Sequence, residues 1–190
     1  MRSPSLTYRD LLDVGAELQE QVRLWRNSDA VRCSMVRQDL IDEEGHRRWI
    51  DSLRTRKDQQ IVRVAFCEGI PFGVVTLKDL DRSMAVGDWG FYIGDPAYRG
   101  RGLGRILLFE ILRWGFEEEG LVRLYTSVLG SNPKALTLYL ETGFELEGCW
   151  RRHVRTPEGR TDLYWVAFFR EVWERDRERV ARRLLGSCGS

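Results

Sequence analysis

Metal-binding and disulfide chemistry is what this chain has least of. Its four cysteines, Cys33, Cys67, Cys149 and Cys188, form no CxxC pair, and neither of its two histidines, His46 and His153, sits at ligand spacing from one of them. A zinc site is therefore disfavoured, and no metal is expected. Free thiols, with no basic-then-apolar leader at the N-terminus, point to a cytoplasmic protein. No uninterrupted apolar run approaches membrane-spanning length, so no membrane partner is expected. An excess of one charge is missing too. Thirty basic residues against twenty-nine acidic ones leave a formal charge of +1, which removes the main electrostatic argument for a nucleic-acid partner. Repeats and low-complexity segments are absent. At 190 residues the chain fits a single domain, 1–190, with a real core and a small-molecule partner.

What is present is concentrated between Gly87 and Gly120. Phe91, Tyr92 and Ile93 close a β-favouring run that Gly94, Asp95 and Pro96 stop, since proline cannot donate to a ladder and glycine permits a sharp bend. From Leu103 to Phe116, Leu103, Leu107, Ile111 and Trp114 recur at three- and four-residue steps, and Ile106, Leu108, Phe109 and Leu112 widen the stripe. The spacing predicts a helix buried on most sides. Between strand and helix lies Arg99-Gly100-Arg101-Gly102-Leu103-Gly104-Arg105. Its alternate glycines bare the backbone where a helix N-terminus presents unpaired N–H groups, and Arg99, Arg101 and Arg105 add positive charge. A pyrophosphate suits such a turn.

The Walker pattern needs Gly-Lys followed by Ser or Thr, but Gly104 is followed by Arg105 and Ile106. The dinucleotide pattern needs GxGxxG with an acid closing the next strand, but the glycines run GxGxG and the strand Leu121–Leu129 ends in Gly130. A third pattern, (Arg/Gln)-x-x-Gly-x-Gly, is met by Arg99, Gly102 and Gly104, and here the chain resembles the GNAT acetyltransferases. A second motif of that family follows in Asn132-Pro-Lys-Ala-Leu-Thr-Leu-Tyr-Leu-Glu-Thr-Gly-Phe144. The two motifs cover Gly87 to about Gly148.

The element order extends the likeness to nearly the whole chain. A strand at Leu6–Leu12 precedes a helix at Gly15–Trp25 and another at Glu43–Leu53. Ile61–Phe66 and Ile70–Leu77 read as a hairpin, followed by a charged turn at Lys78–Arg82. After the central helix come a strand, a helix opened by Ser131, Asn132 and Pro133, and a closing hairpin of Phe144–Trp150 and Thr161–Phe169. The tail, 170–190, is helical in composition, with a wholly charged middle that reads as a solvated helix. The resemblance implies an α/β (α+β) fold: a strongly twisted mixed sheet of about seven strands, flanked by helices on both faces.

The resemblance also implies acetyl-CoA as cofactor. Its pyrophosphate would lie on Arg99 to Arg105, including Gly100, Arg101 and Leu103. Its pantetheine would lie in a gap where the strands on either side of the loop splay apart, against the backbone of Phe91, Tyr92 and Ile93, with Asn132, Lys134 and Ala135 beside it. Tyr139 resembles the family's general acid, with aromatic packing as the structural alternative. Asp88 is a candidate base, or else a polar edge position. For the acceptor amine, Trp25-Arg26-Asn27, Met35 and the helix carrying Trp49 resemble acetyltransferases that act on UDP-linked amino sugars. The arginines suit a diphosphate and the aromatics a uracil or sugar face. Ribosomal-protein alanine acetyltransferases share the Trp-Arg-Asn opening and form the rival reading. A non-catalytic acyl-CoA module is a third. A homodimer is compatible with each.

Overall fold

The computed structural model describes residues 5–186, so Cys188 lies outside the described residues. The chain runs β1 (Leu6–Asp10), α1 (Ala16–Asn27), α2 (Asp29–Arg32), α3 (Glu43–Thr55), β2 (Ile61–Cys67), β3 (Ile70–Asp81), β4 (Val86–Ile93), α4 (Leu103–Arg113), β5 (Arg123–Leu129), α5 (Pro133–Thr142), β6 (Glu145–Thr156), β7 (Gly159–Phe169) and α6 (Arg170–Leu185). The strands form one seven-stranded sheet in the order β1-β2-β3-β4-β5-β7-β6. Only the β4–β5 pairing is parallel; the other five are antiparallel. The expected mixed sheet with helices on both faces is what forms.

Alternation along the strands divides the core between the two faces. On one face, α4, α5 and α6 bury Trp89, Leu107, Ile111, Leu124, Val166, Phe168 and Trp173 in the larger cluster. Leu107, Leu108, Ile111 and Leu112 are wholly buried, each contributing roughly 1.5–3 kcal/mol through lost apolar exposure. On the other face, α1 and α3 cover only one half of the sheet. Their cluster joins Val22, Trp25, Ile50 and Leu53 to Val62, Val64, Phe66 and Val74, and contains no residue of β5, β6 or β7.

Several elements differ from the sequence expectation. The first strand stops at Asp10, whose carboxylate accepts from Leu12 N–H and turns the chain into a short 3-10 helix, Leu11–Asp13. Lys78–Arg82 is not simply a charged turn, because β3 continues to Asp81 with an irregular register after Lys78. The last helix is not simply solvated. Trp173, Val180 and Leu184, spaced seven and four apart, are buried, and Trp173 Nε1 donates to Glu117 Oε1 at 3.0 Å.

Candidate active site

β4 and β5 pair only as far as Asp88↔Tyr125, then part. Thr126 Oγ1 donates to the Trp89 carbonyl at 2.9 Å across the point where they diverge. That bond shows which way Trp89 faces. By strand alternation, Phe91 and Ile93 direct their main-chain groups the same way, where no strand pairs with them, while Gly90 and Tyr92 turn toward β3. The result is a fork, one arm of which carries backbone groups that pair with no strand.

The turn above the fork is built by glycine. Gly100 and Gly102 take φ of +73° and +77°, and a Cβ on either would meet nothing within 4 Å. Gly102 is also the N-cap of α4 and supplies no side-chain cap, so the first N–H groups of an eleven-residue helix are left for another acceptor. Gly104 faces Phe91, whose ring would lie 3.5 Å from an added Cβ. The arginines divide in role. Arg99 is not a mobile charge here: its Nε and Nη2 donate to the carbonyls of Ile93 and Gly94 at 3.1 and 3.0 Å, tying the loop to the end of β4. Arg101 lies over the Tyr98 ring at 5.3 Å, and Arg105 Nη1 makes only a 3.3 Å contact to the Arg183 carbonyl. Both stay exposed. The bare turn, uncapped helix and exposed arginines fit the pyrophosphate of acetyl-CoA, and the fork fits an extended amide-bearing arm.

α5 brings its residues to the same fork. The Asn132 side chain accepts from Ala135 N–H at 3.3 Å and caps the helix, a local role that the family motif does not reveal. Lys134 is exposed. The Tyr139 ring packs edge-on against Trp89, with centroids 5.1 Å apart, and tilted against Phe144 at 5.3 Å. Burial pushes its phenol above the ordinary tyrosine range, and no described residue hydrogen-bonds its hydroxyl.

Asp88 projects to the opposite face. It is 6% exposed, and its Oδ2 receives Lys78 Nζ at 2.7 Å, while Oδ1 is buried without a partner. Burial raises its carboxyl pKa, and the Lys78 ammonium pulls the other way. Sequence reasoning missed Lys78, because its place in the strand is hidden by the charged residues after it.

The N-terminal candidates are not gathered at an open surface. Trp25 is 8% exposed in the core, and its ring fills the space in front of Gly94, where a Cβ would lie 2.2 Å from it. Arg26 Nη2 donates to the Arg37 carbonyl at 2.6 Å. Asn27 exchanges two hydrogen bonds with the Ile41 backbone, both under 3 Å. Together with Arg23 and Arg32, which donate to the Ile41 and Gln38 carbonyls, they fasten the segment between α2 and α3. Trp49 stacks at a tilt on His46 and packs on the core, and Met35 is half-buried.

Comparison with known proteins settles the family. The model of the acetyltransferase (GNAT) family matches residues 21–144. The chain belongs to the GNAT family. Family members use acetyl-CoA, the donor that the turn and fork fit. Among curated relatives, an N-alpha-acetyltransferase RimI of Mycobacterium tuberculosis is 48% identical over 61 residues, covering 32% of this chain and 36% of that protein. The [Ribosomal protein bS18]-alanine N-acetyltransferase of Escherichia coli K12 is 37% identical over 73 residues, covering 38% of this chain and 49% of that one. These matches thus span less than half of either relative. Solved neighbours share the fold: a Vibrio cholerae spermidine N-acetyltransferase, determined with CoA and spermine, has a TM-score of 0.77 at 18% identity, covering 87% of this chain and 96% of its own. The Campylobacter jejuni N-acetyltransferase PseH has 0.64 at 21%, covering 86% and 97%. Among the described residues no helix is long and apolar enough to cross a membrane, and no group of three or more His, Cys, Asp or Glu side chains is placed to hold a metal ion.

Proposed function

We propose that this chain is an N-acetyltransferase whose acceptor is the primary amine of a nucleotide-linked amino sugar. Bound acetyl-CoA supplies an activated acetyl thioester. The chain's own part is to hold the donor, deprotonate the amine and return a proton. The α4 N-terminus with Arg101 and Arg105 holds the pyrophosphate, and Phe91 and Ile93 offer main-chain hydrogen bonds along the fork. Asn132, Lys134 and Ala135 sit at the start of the helix beside it. Asp88, whose Oδ2 Lys78 steadies, takes a proton from the acceptor ammonium through water. Tyr139, kept protonated by burial, donates to the departing thiolate.

The observation that carries the choice of acceptor is a change of charge along the sheet, from β4 to the tip of its last hairpin. Asp88 and Asp79 lie at its β4 side, where both act on Tyr125. The tip of the β6–β7 hairpin, residues 151–160, carries Arg151, Arg152, Arg155 and Arg160 against Glu158, with Asp162 following. An amino sugar on a nucleotide has that polarity, an ammonium at one end and phosphates at the other. A polyamine is cationic at both ends.

Release of free thiol from acetyl-CoA is the test, with a UDP-linked 4-amino sugar, an alanyl-terminated peptide and spermidine as parallel acceptors. Release with the sugar nucleotide supports the proposal. Release with the peptide alone would replace it with protein N-terminal acetylation.

A further inference from the structure

Residues that pair across neighbouring strands point to the same face of a sheet. Tyr125 pairs with Asp88 on one side and Ala167 on the other, and Ala167 pairs with Glu145. Trp165 pairs with Ser127 and Gly148, and Leu163 with Leu129 and Trp150. Tyr125, Trp165 and Trp150 therefore share a face with Asp88 and Glu145, on the half of the sheet that α1 and α3 leave bare, whereas Arg155 and Arg160, paired with each other, point to the opposite face. The ring centroids of Trp165 and Trp150 lie 5.0 Å apart with their planes at 60°, which makes a corner. Tyr125 continues the row at 6.4 Å from Trp165, and His153 ends it at 4.7 Å from Trp150. The buried trio Leu129, Val154 and Leu163 supports it from below. Both register partners of Trp165 are small, and a Cβ built on Gly148 would meet nothing within 4 Å, so the space beside the indole is open. Trp165 Nε1 is buried, so the surface that this residue exposes is ring carbon, and Trp150 is 49% exposed.

The strand charges on this face are acidic once the ion pairs are set aside. Lys78 is paired with Asp88, and Arg123 with Glu147. Glu145 is exposed and has no cationic side chain within 4.0 Å among the described residues. One ring of the row already holds a cation, since the Arg123 guanidinium lies over Tyr125 at 4.9 Å. The two indoles hold none.

We infer that the corner between Trp165 and Trp150, with Glu145 beside it, is an ammonium subsite that recognises the acceptor amine in its charged form on the way to Asp88. The face of an indole is the negative part of its quadrupole and attracts a cation within about 6 Å of the ring centroid. An unpaired carboxylate on the same face adds attraction of the same sign. An anion is repelled by Glu145, and a neutral ligand gains from neither. From this corner the row leads over Trp165 and Tyr125 to Asp88, where the proton is lost. Acetylation then turns the ammonium into a neutral amide, so the subsite holds the substrate and not the product. The inference rests on the N-acetyltransferase reading and not on the choice among acceptors, each of which arrives as an ammonium. A second copy of this chain is a poorer occupant of the face. β6 is an edge strand broken by two register shifts, with Arg152 at φ +50°, and irregular edges of this kind discourage strand pairing.

The test is titration of the full chain, labelled with nitrogen-15 at tryptophan, with three probes of one shape: cyclohexylammonium, uncharged cyclohexanol, and N-cyclohexylacetamide as the counterpart of the product. The indole N–H signals of Trp150 and Trp165 should move saturably with the ammonium, and more weakly as salt rises. Both neutral probes should bind about fivefold more weakly or worse, the scale of one cation on an aromatic face. Trp165→Leu should lose the binding read at Trp150, while Trp165→Phe keeps most of it. Glu145→Gln, an exposed change, should weaken the ammonium about twofold or more and leave cyclohexanol unchanged. All variants should bind acetyl-CoA as wild type does, which also shows that they are folded. Equal affinity for the three probes would overturn the subsite by making the row an apolar face. Unmoved indole signals, or full ammonium affinity in both Trp165→Leu and Glu145→Gln, would overturn it too, as would a concentration-dependent dimer that Trp150→Ala dissolves. Transfer to an alanyl peptide alone would replace the amino-sugar reading but not this subsite, which the titrations decide separately.

Discussion

Tyr139 and Asp88 are both shifted toward their protonated forms by burial, and the same shift serves opposite tasks. For Tyr139 it secures the proton to be donated. Tyr139→Phe keeps the ring against Trp89 and Phe144 and removes only the donor, so turnover should fall about a hundredfold or more, while calorimetry finds acetyl-CoA affinity unchanged. Wild-type turnover would leave Tyr139 a packing residue. For Asp88 the raised pKa makes a stronger base, at the cost of an acid limb in the rate profile: as pH falls through the raised value, the carboxylate takes up a proton and transfer slows. Asp88→Asn should lower turnover and abolish that limb. The sign for stability is the reverse. A carboxyl whose pKa rises on folding contributes stability below its unfolded value that is lost as pH rises through the folded one. The neutral amide should therefore hold or raise the melting temperature at neutral pH, since Lys78, with 40% of its side chain exposed, stays solvated when unpaired. A clear loss of stability with full turnover would make Asp88 a structural ion-pair member.

Among the elements, the turn into α4 is the most demanding. Gly102 lies at positive φ, where any side chain is strained, so its replacement disturbs the fold and the ligand site together. Gly104 separates the two effects, because its backbone is helical and a Cβ meets only the Phe91 ring at 3.5 Å. Gly104→Val should abolish acetyl-CoA binding with little change in melting temperature. Retained affinity in the folded variant would place the pyrophosphate elsewhere. The periodicity of α4 was legible because a broad stripe of it is buried, and the alternation of Ile61–Phe66 because Val62, Val64 and Phe66 pack together under α1 and α3. The single turn Asp29–Arg32 was not, being too short to show a period. The far part of β6, Arg151–Thr156, was hidden for another reason: only Val154 is buried there, so polar residues occupy both faces and no alternation appears.

At the scale of the whole molecule, the sequence carried the family and its turn, since Arg99, Gly102, Gly104, Asn132 and Tyr139 stand close together along the chain. What it withheld depends on register. Tyr125, Trp165 and Trp150 become neighbours only because β7 inserts between β5 and β6, and Lys78 meets Asp88 only across β3 and β4. Trp-Arg-Asn near the start was legible as a pattern but not as a role. Trp25 packs on Gly94, and Arg26 and Asn27 fasten the segment leading to α3, so this signature reports how α1 is anchored beside the fork.

Where the donor lies relative to the fork is measured most directly by a crystal structure of the chain with CoA. The expected result is a pantetheine arm between β4 and β5, hydrogen-bonded to Phe91 and Ile93, with its pyrophosphate on the Gly102–Arg105 turn and its sulfur beside the Tyr139 hydroxyl. CoA bound away from the fork, or with its sulfur out of reach of Tyr139, would contradict it.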